Sequence, residues 1–158
     1  MNVLFNRHAQ LIAQSAKLKK QLDLTLETIL IQTSADAADI FIIDKRTTQP
    51  TFYSGRGFGE IPPYALQSDS WKGLVWRVIQ KRDLVFLPNI WVESSSLVRK
   101  TAFEQYHFIS YQGIPLVANG KILGVLEIFH CQEFFPDSTW FELFRSLANQ
   151  LSLLLDTI

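Results

Sequence analysis

The sequence predicts an α+β domain in which an antiparallel β-sheet is covered by helices on both faces. Helical and strand patterns follow one another in the order α-α-β-β-α-β-α-β-β-α. Near the end of this series, Ser110 to His130 contains two apolar runs joined by Asn119-Gly120, a pair that accepts the positive φ angles of a tight hairpin turn. We therefore expect a β-hairpin here, with the first and last helices packed together on one face of the sheet.

The second strand of this hairpin indicates that the sheet has a layer on each side. Val125 and Phe129 point to one face, whereas Leu126 and Ile128 point to the other, so both faces of the strand are apolar and both need cover. Glu127 is the exception, since it shares the face of Val125 and Phe129. Either that face is exposed to water at Glu127, or the layer that covers it contains a polar group.

Length and composition favour one globular domain over residues 1–158. The chain has 158 residues, 15 basic and 15 acidic side chains, and a hydrophobic fraction of 47%. The balanced charge does not favour nucleic acid or an anionic membrane as a partner. No segment has the run of about 20 apolar residues that spans a bilayer, and no signal peptide is visible. The single cysteine, Cys131, excludes an internal disulfide and suits a cytoplasmic location.

Two helices and two strands are predicted in the first third of the chain. The first helix runs from Val3 to about Lys20, and Asp23 caps a second one, so we expect a bend or break near Asp23. The heptad-like apolar positions of the first helix are Leu4, Leu11, Leu18 and Leu22. Ala38 to Asp44 is rich in β-branched and aromatic residues and predicts a buried strand, followed by a second strand around Thr51 to Ser54.

The middle of the chain is predicted to alternate between irregular segments and short elements. Glycine and proline make Gly55 to Ser70 irregular, and a helix then extends to about Arg82. Leu84 to Pro88 is a short strand, and Leu97 to His107 is predicted to be a helix.

The last helix is predicted to begin after Pro136, with Asp137 or Ser138 as its N-cap. Its apolar residues form a heptad seam at Trp140, Phe144, Leu147, Leu151, Leu154 and Ile158. Packing on the sheet explains part of this seam, but further leucines beside it offer more apolar surface than one sheet face covers. We therefore expect a parallel homodimer through the terminal helices. The candidate interface residues are Leu4, Leu11, Leu18, Phe144, Leu147, Leu151, Leu154 and Ile158.

Four stretches resemble those of a GAF domain (PAS-related) in order and approximate spacing. They are "ADIFIID", "KGLVWRVIQKRDLVFLPNI", "SYQGIPLVANGKILGVLEIFH" and "FFPDSTWFELFRSLANQLSLLLD". The resemblance implies an N-terminal signalling helix over residues 1–22, a core over 23–136 and a C-terminal helix over 137–158. It further implies a cytoplasmic bacterial signal-transduction protein, with a histidine kinase, a cyclic-di-GMP enzyme or a response regulator as the attached output domain.

Several specialised branches of this family fit the sequence poorly. The residue pairs of the cyclic-nucleotide-binding branch are missing, since Asn119 is followed by Gly120. Bilin-binding members resemble this chain less, because His130-Cys131 has the reverse of their usual Cys-His order. Members that reduce free methionine sulfoxide need a second thiol to resolve the sulfenic acid. The identity of any cofactor is unknown, and the sequence requires none.

The resemblance implies a small-molecule pocket on one sheet face. The candidate lining residues are Phe41, Trp71, Trp76, Phe103, Tyr106, Tyr111, Glu127 and Phe129. Core packing alone also explains aromatic residues at these spacings. Glu127 either binds a ligand through hydrogen bonds or pairs with an arginine such as Arg77 at the rim. The sequence does not tell which face of the sheet forms the pocket.

The functional hypothesis is a non-catalytic sensory domain that binds a small molecule, dimerises, and controls an attached output domain. Its first alternative is a purely structural dimerisation module whose pocket is filled by its own side chains. A redox sensor using Cys131 or a haem sensor using His107 is a further alternative. The histidines show no metal-binding spacing, and the sequence shows no nucleophile with a base, no phosphate loop and no metal cluster, so we expect neither a metal site nor an enzyme.

Overall fold

The computed structural model describes residues 2–59, 73–92 and 106–157, with side chains from residue 9 onward except at 11 and 12. The elements are helix α1 (Asn2–Thr33), strands β1 (Ala37–Ile43) and β2 (Pro50–Arg56), helix α2 (Gly73–Lys81), strands β3 (Val85–Leu87), β4 (Ser110–Ala118) and β5 (Lys121–His130), and helix α3 (Ser138–Leu155). The strands form one antiparallel sheet in the order β2-β1-β5-β4-β3. The predicted fold class is confirmed.

The sheet separates two apolar layers. One face packs against α1 and α3, and we call it the terminal-helix face; the other packs against α2, and we call it the α2 face. On β5, Leu126 and Ile128 are buried on the terminal-helix face, whereas Val125 and Phe129 are buried on the α2 face. The prediction that this strand is covered on both sides is confirmed, and alternation places Glu127 on the α2 face.

The predicted hairpin connects β4 and β5. Asn119 and Gly120 have φ angles of 53° and 75°, and the flanking residues Ala118 and Lys121 pair across the turn. Both turn residues thus occupy the left-handed region that a two-residue hairpin loop requires. The remaining strand predictions are also confirmed, because β1, β2 and β3 lie where the sequence indicates them.

Helix α1 differs from its prediction, because it continues without interruption through Thr33. The expected break at Asp23 is wrong. Asp23 accepts a hydrogen bond from the Ser54 hydroxyl, and its second carboxylate oxygen lies 3.4 Å from the Arg56 guanidinium. This side chain therefore tethers the middle of α1 to the edge strand β2 instead of capping a new helix. The predicted boundary between residues 22 and 23 falls inside this helix.

Helix α3 begins as predicted. The Asp137 carboxylate accepts a hydrogen bond from the Trp140 backbone N–H at 2.9 Å, which satisfies one of the free donors of the first turn. Phe144 and Leu151 of its apolar seam are completely buried against the sheet. Burying side chains of this size contributes about 1.5–3 kcal/mol each. Most of the predicted Leu97 to His107 helix lies outside the described residues.

Candidate functional site

The carboxyl group of Glu127 lies on the apolar α2 face, on the central strand of the sheet. Its side chain is completely buried, between Val125 and Phe129 on the same strand. The Tyr111 hydroxyl on the neighbouring strand β4 donates a hydrogen bond to Glu127 Oε2. Burying a carboxyl group costs free energy unless it is hydrogen-bonded. The contact with Tyr111 therefore offsets part of the cost of placing Glu127 here.

A glycine opposite Glu127 makes room for the Tyr111 ring. Gly113 on β4 is the register partner of Glu127. A Cβ atom at position 113 would lie 2.3 Å from the Tyr111 hydroxyl oxygen and 2.7 Å from Val78 Cγ2. The volume that a side chain would need at this position is therefore filled by the phenol. The pair Tyr111 and Gly113, two residues apart on one strand, directs the hydroxyl toward the glutamate.

A second buried carboxyl group, that of Asp39, lies directly opposite Glu127 on the other neighbouring strand. Asp39 on β1 is the register partner of Glu127 and is also completely buried. Side chains directly opposite in an antiparallel pair share a face, with their Cβ atoms about 4.5–5.5 Å apart. Two carboxyl groups on one apolar face favour contact with hydrogen-bond donors or a positive charge.

Sequence reasoning missed Asp39 as a site residue. The available signal was a charged residue that alternates with Ala37 and Phe41 in an apolar strand. Only the strand register shows that Asp39 faces Glu127.

Aromatic rings cover the α2 face beside these carboxyl groups. Phe108 stacks on Phe129 at a ring-centroid distance of 4.7 Å and on Tyr106 at 5.1 Å. Phe58 packs edge-on against Phe108 at 6.0 Å and against Phe129 at 5.9 Å. Burial raises the pKa of Tyr106 from 10.0 to about 12. Phe58 and Phe108 were not predicted, because they lie in irregular segments where apolar periodicity is no guide.

The structure brings part of the predicted pocket together. The predicted residues that share this cluster are Phe41, Tyr111, Glu127 and Phe129. Tyr106 packs at the margin of the cluster and is half-buried, as is Trp76 on α2. Arg77, the suggested partner of Glu127, is an exposed residue of α2. Trp71 and Phe103 lie outside the described residues.

The residues suggested for redox or haem chemistry, Cys131 and His107, lie apart from this cluster or at its margin. Burial raises the pKa of the Cys131 thiol, and the nearby Asp36 carboxyl raises it further. A redox-sensing cysteine needs the opposite shift, because the thiolate is the reactive form. His107 is an exposed turn residue. Within the described ranges, no three His, Cys, Asp or Glu side chains group closely enough to bind a metal ion.

The predicted dimer interface needs a correction. Phe144, Leu147 and Leu151 pack in the core between α3 and the sheet of their own chain, so they have no free surface to offer a second copy. Leu18 and Leu154 are half-buried at the margin of this core. The side chains of Leu4, Leu11 and Ile158 lie outside the described residues.

Other apolar side chains of the terminal helices are exposed. Leu24 and Ile31, one heptad apart on α1, are 54% and 80% exposed, and Leu153 on α3 is 69% exposed. Among the described residues, no helix combines the length and apolar character needed to cross a membrane.

The antiparallel sheet with terminal helices on one face and α2 on the other defines the class of this domain. The GAF domain family model matches residues 17–155, which include every strand of the sheet. The chain therefore belongs to the GAF domain family. A search of curated proteins finds no match.

Solved GAF domains and sensory proteins share this fold at low sequence identity. The GAF domain of a phosphoenolpyruvate-protein phosphotransferase from Coxiella burnetii superposes with a TM-score of 0.75 at 20% identity, covering 89% of this chain and 83% of that one. A methyl-accepting chemotaxis protein, residues 122 to 287, gives 0.71 at 16% identity and 89% coverage of both chains. The blue-light-absorbing PixJ GAF domain of Thermosynechococcus elongatus gives 0.71 at 12% identity, covering 92% and 88%.

Proposed function

We propose that this chain is a non-catalytic sensory domain that binds a small molecule on the α2 face and regulates an attached output domain through its terminal helices. The observation that carries the proposal is the position of β5. This strand presents Glu127 and Phe129 to the α2 face, and Leu126 and Ile128 to the terminal helices α1 and α3. A ligand on one face therefore contacts the same strand on which α1 and α3 rest.

The chemistry of the α2 face suggests a class of ligand. Asp39 and Glu127 supply carboxyl oxygens, and the surrounding rings supply apolar surface. A ligand that carries an amine, amidine or similar donor beside an apolar group would match both features. Binding would alter the helices only if the ligand has different affinities for two arrangements of α1 and α3.

Mass spectrometry of the purified chain under native and denaturing conditions tests ligand binding. We expect an additional mass in the native spectrum that is lost on denaturation, and that identifies the ligand by weight. The Glu127→Gln variant should lose this mass, because the amide removes the carboxylate while keeping the shape. Glu142→Gln changes an exposed glutamate on α3 and serves as the matched control. Retention of the additional mass by Glu127→Gln would contradict binding at this site.

The aromatic packing favours one alternative, a structural dimerisation module whose pocket is filled by its own side chains. Phe58, Phe108 and Phe129 contact one another at ring distances between 4.7 and 6.0 Å, which leaves no room between these three rings. A wild-type chain that carries no additional mass, and whose thermal midpoint does not shift in a metabolite extract, would support this alternative. The raised pKa of Cys131 argues against the redox alternative.

Dimerisation through the terminal helices is part of the same proposal. The exposed side chains Leu24, Ile31 and Leu153 support it, because a second copy would cover them. Leu18 and Leu154 at the margin of the core, together with Leu4, Leu11 and Ile158, complete the proposed surface. Light scattering at tens of micromolar should give twice the mass of the chain, and a monomer mass would contradict the dimer.

The remaining parts of the proposal concern the context of the domain. Two of the similar structures come from a phosphotransferase and a chemotaxis protein, which supports an attached output domain. We propose a bacterial protein that acts in the cytoplasm, with a kinase, a cyclic-di-GMP enzyme or a response regulator as output. Fusing the chain to such a domain and measuring output activity with and without ligand would test this.

A further inference from the structure

A cluster of polar side chains lies on the terminal-helix face, on the opposite side of the sheet from Glu127. Ser110 and Gln112 are two residues apart on β4, and His130 is the register partner of Ser110 on β5. Ser110 and Gln112 are completely buried and His130 is 5% exposed. We call Ser110, Gln112 and His130 the polar cluster.

His130 connects the polar cluster to both terminal helices. Its Nε2 lies 3.5 Å from the carbonyl oxygen of Thr33, the last residue of α1, and the Trp140 indole N–H of α3 donates to the same oxygen at 3.4 Å. A carbonyl oxygen only accepts, so this contact requires the proton on His130 Nε2. Burial lowers the pKa of His130, which favours the neutral ring. His130 Nδ1 is therefore a buried acceptor.

The hydrogen-bonding capacity of the polar cluster exceeds what the described residues supply. Within the described residues, Ser110 Oγ, both amide atoms of Gln112 and His130 Nδ1 have no hydrogen-bond partner. Buried polar atoms in native proteins are almost always paired with protein or with ordered water, because an unpaired one destabilises the fold. Three neighbouring side chains with unmet donors and acceptors thus point to a bound polar molecule.

Aromatic side chains enclose the polar cluster and restrict the size of that molecule. Phe134 stacks on the His130 ring at 4.0 Å and packs edge-on against Trp140 at 5.0 Å. On the other side, Phe86, the register partner of Gln112, packs against Phe141 of α3 at 5.5 Å. This enclosure favours water over a larger solute.

We propose that the polar cluster is an internal water-binding site that holds the end of β5 against α1 and α3. A water molecule would donate to His130 Nδ1 and to the Gln112 carbonyl oxygen, and accept from the Ser110 hydroxyl or the Gln112 amide. Such a molecule completes two to four hydrogen bonds, which is typical of buried water. The site is independent of any ligand on the α2 face, so its failure would leave the sensory proposal unaffected.

The Gln112→Leu variant tests the proposal through the direction of its effect on the thermal midpoint. If the cluster is hydrated, the variant removes partners of the bound water, and the midpoint should fall by roughly 2–12 °C. If the cluster is dry, the variant replaces an unpaired amide with an apolar side chain, and the midpoint should rise. Gln150→Leu on the exposed side of α3 is the control and should leave the midpoint unchanged.

A crystal structure of the wild-type chain provides a readout that does not depend on any variant. We expect an ordered water about 2.7–3.2 Å from the Gln112 amide and from His130 Nδ1. Direct bonds among Ser110, Gln112 and His130, with no water between them, would overturn the proposal whatever the variants show. Ser110→Ala serves as the milder substitution if Gln112→Leu does not fold, and its midpoint should also fall.

Discussion

The substitution Tyr111→Phe removes the hydrogen bond from Tyr111 to Glu127 by deleting the hydroxyl oxygen. The phenol and the carboxyl are both completely buried, so water cannot replace the lost hydroxyl without entering the core. Deleting the donor of a buried hydrogen bond to a carboxyl group costs about 1–3 kcal/mol. In a domain of this length, 1 kcal/mol shifts the thermal midpoint by about 2–4 °C. Tyr111→Phe should therefore lower the midpoint by about 2–12 °C.

Urea denaturation followed by circular dichroism measures this loss. Tyr111→Phe should lower the midpoint concentration without changing the slope, since the surface exposed on unfolding stays the same. Tyr53→Phe is the matched control: Tyr53 is half-buried on β2, and no hydrogen bond of its hydroxyl occurs among the described residues, so its loss should cost less than about 0.5 kcal/mol.

A double-mutant cycle with Glu127→Leu, which removes the acceptor, assigns the loss to this contact. In the cycle, Tyr111→Phe and Glu127→Leu should be non-additive by about 0.5–3 kcal/mol, because each substitution removes the same hydrogen bond. A Tyr111→Phe variant as stable as wild type, or fully additive effects, would refute the stabilising role of this hydrogen bond.

Three further predictions concern other contacts in the fold. Gly124→Ala should destabilise the domain by about 1–3 kcal/mol in urea denaturation, because its Cβ would lie 2.3 Å from the Phe41 carbonyl oxygen. Burial raises the pKa of Asp23, but the Ser54 hydrogen bond and nearby cations lower it more, so the folded value is below the ordinary 3.8. The contribution of this carboxylate to folding stability is therefore present above that pH and is lost as the pH falls below it. The Asp23→Asn variant should lose less stability in acid than the wild type. Burial lowers the pKa of His130 more than the Thr33 carbonyl and Asp36 raise it, so the unfolded chain binds the proton on His130 more readily than the folded chain. The thermal midpoint should therefore fall as the pH drops below about 6.5, and it should fall less in the His130→Gln variant.

The parts of the fold that the sequence predicts correctly are those with a local cause. Asn119-Gly120 determines its turn through the φ angles that these two residues accept, and Asp137 caps α3 through a donor three residues away. Asp23 shows where this reasoning ends. Asp is a good N-cap residue in any sequence, but here its carboxylate accepts a hydrogen bond from Ser54, 31 positions further along the chain. Local sequence preference does not reveal a contact between residues so far apart.

The heptad of α3 is ambiguous for a different reason. Leucine and phenylalanine at spacings of three and four serve equally well to pack a helix on a sheet or on a second helix. The structure distinguishes the two, because Phe144 and Leu151 pack against β-strand residues of their own chain. Among the described residues, Leu24 and Ile31 on the outer side of α1 stay exposed and repeat with the same heptad spacing, so they support the proposed contact with a second copy.

The candidate site depends on register, which no single segment contains. Alternation assigns Glu127 to one face of β5, but its neighbours come from β1 and β4, whose pairing aligns it with Asp39 on one side and Gly113 on the other. A shift of one residue in the pairing of β1 with β5 would move one of the two carboxyl groups to the terminal-helix face, where Leu126 and Ile128 meet α1 and α3. The apolar core on that face thus stabilises the register that brings the two carboxyl groups together on the α2 face.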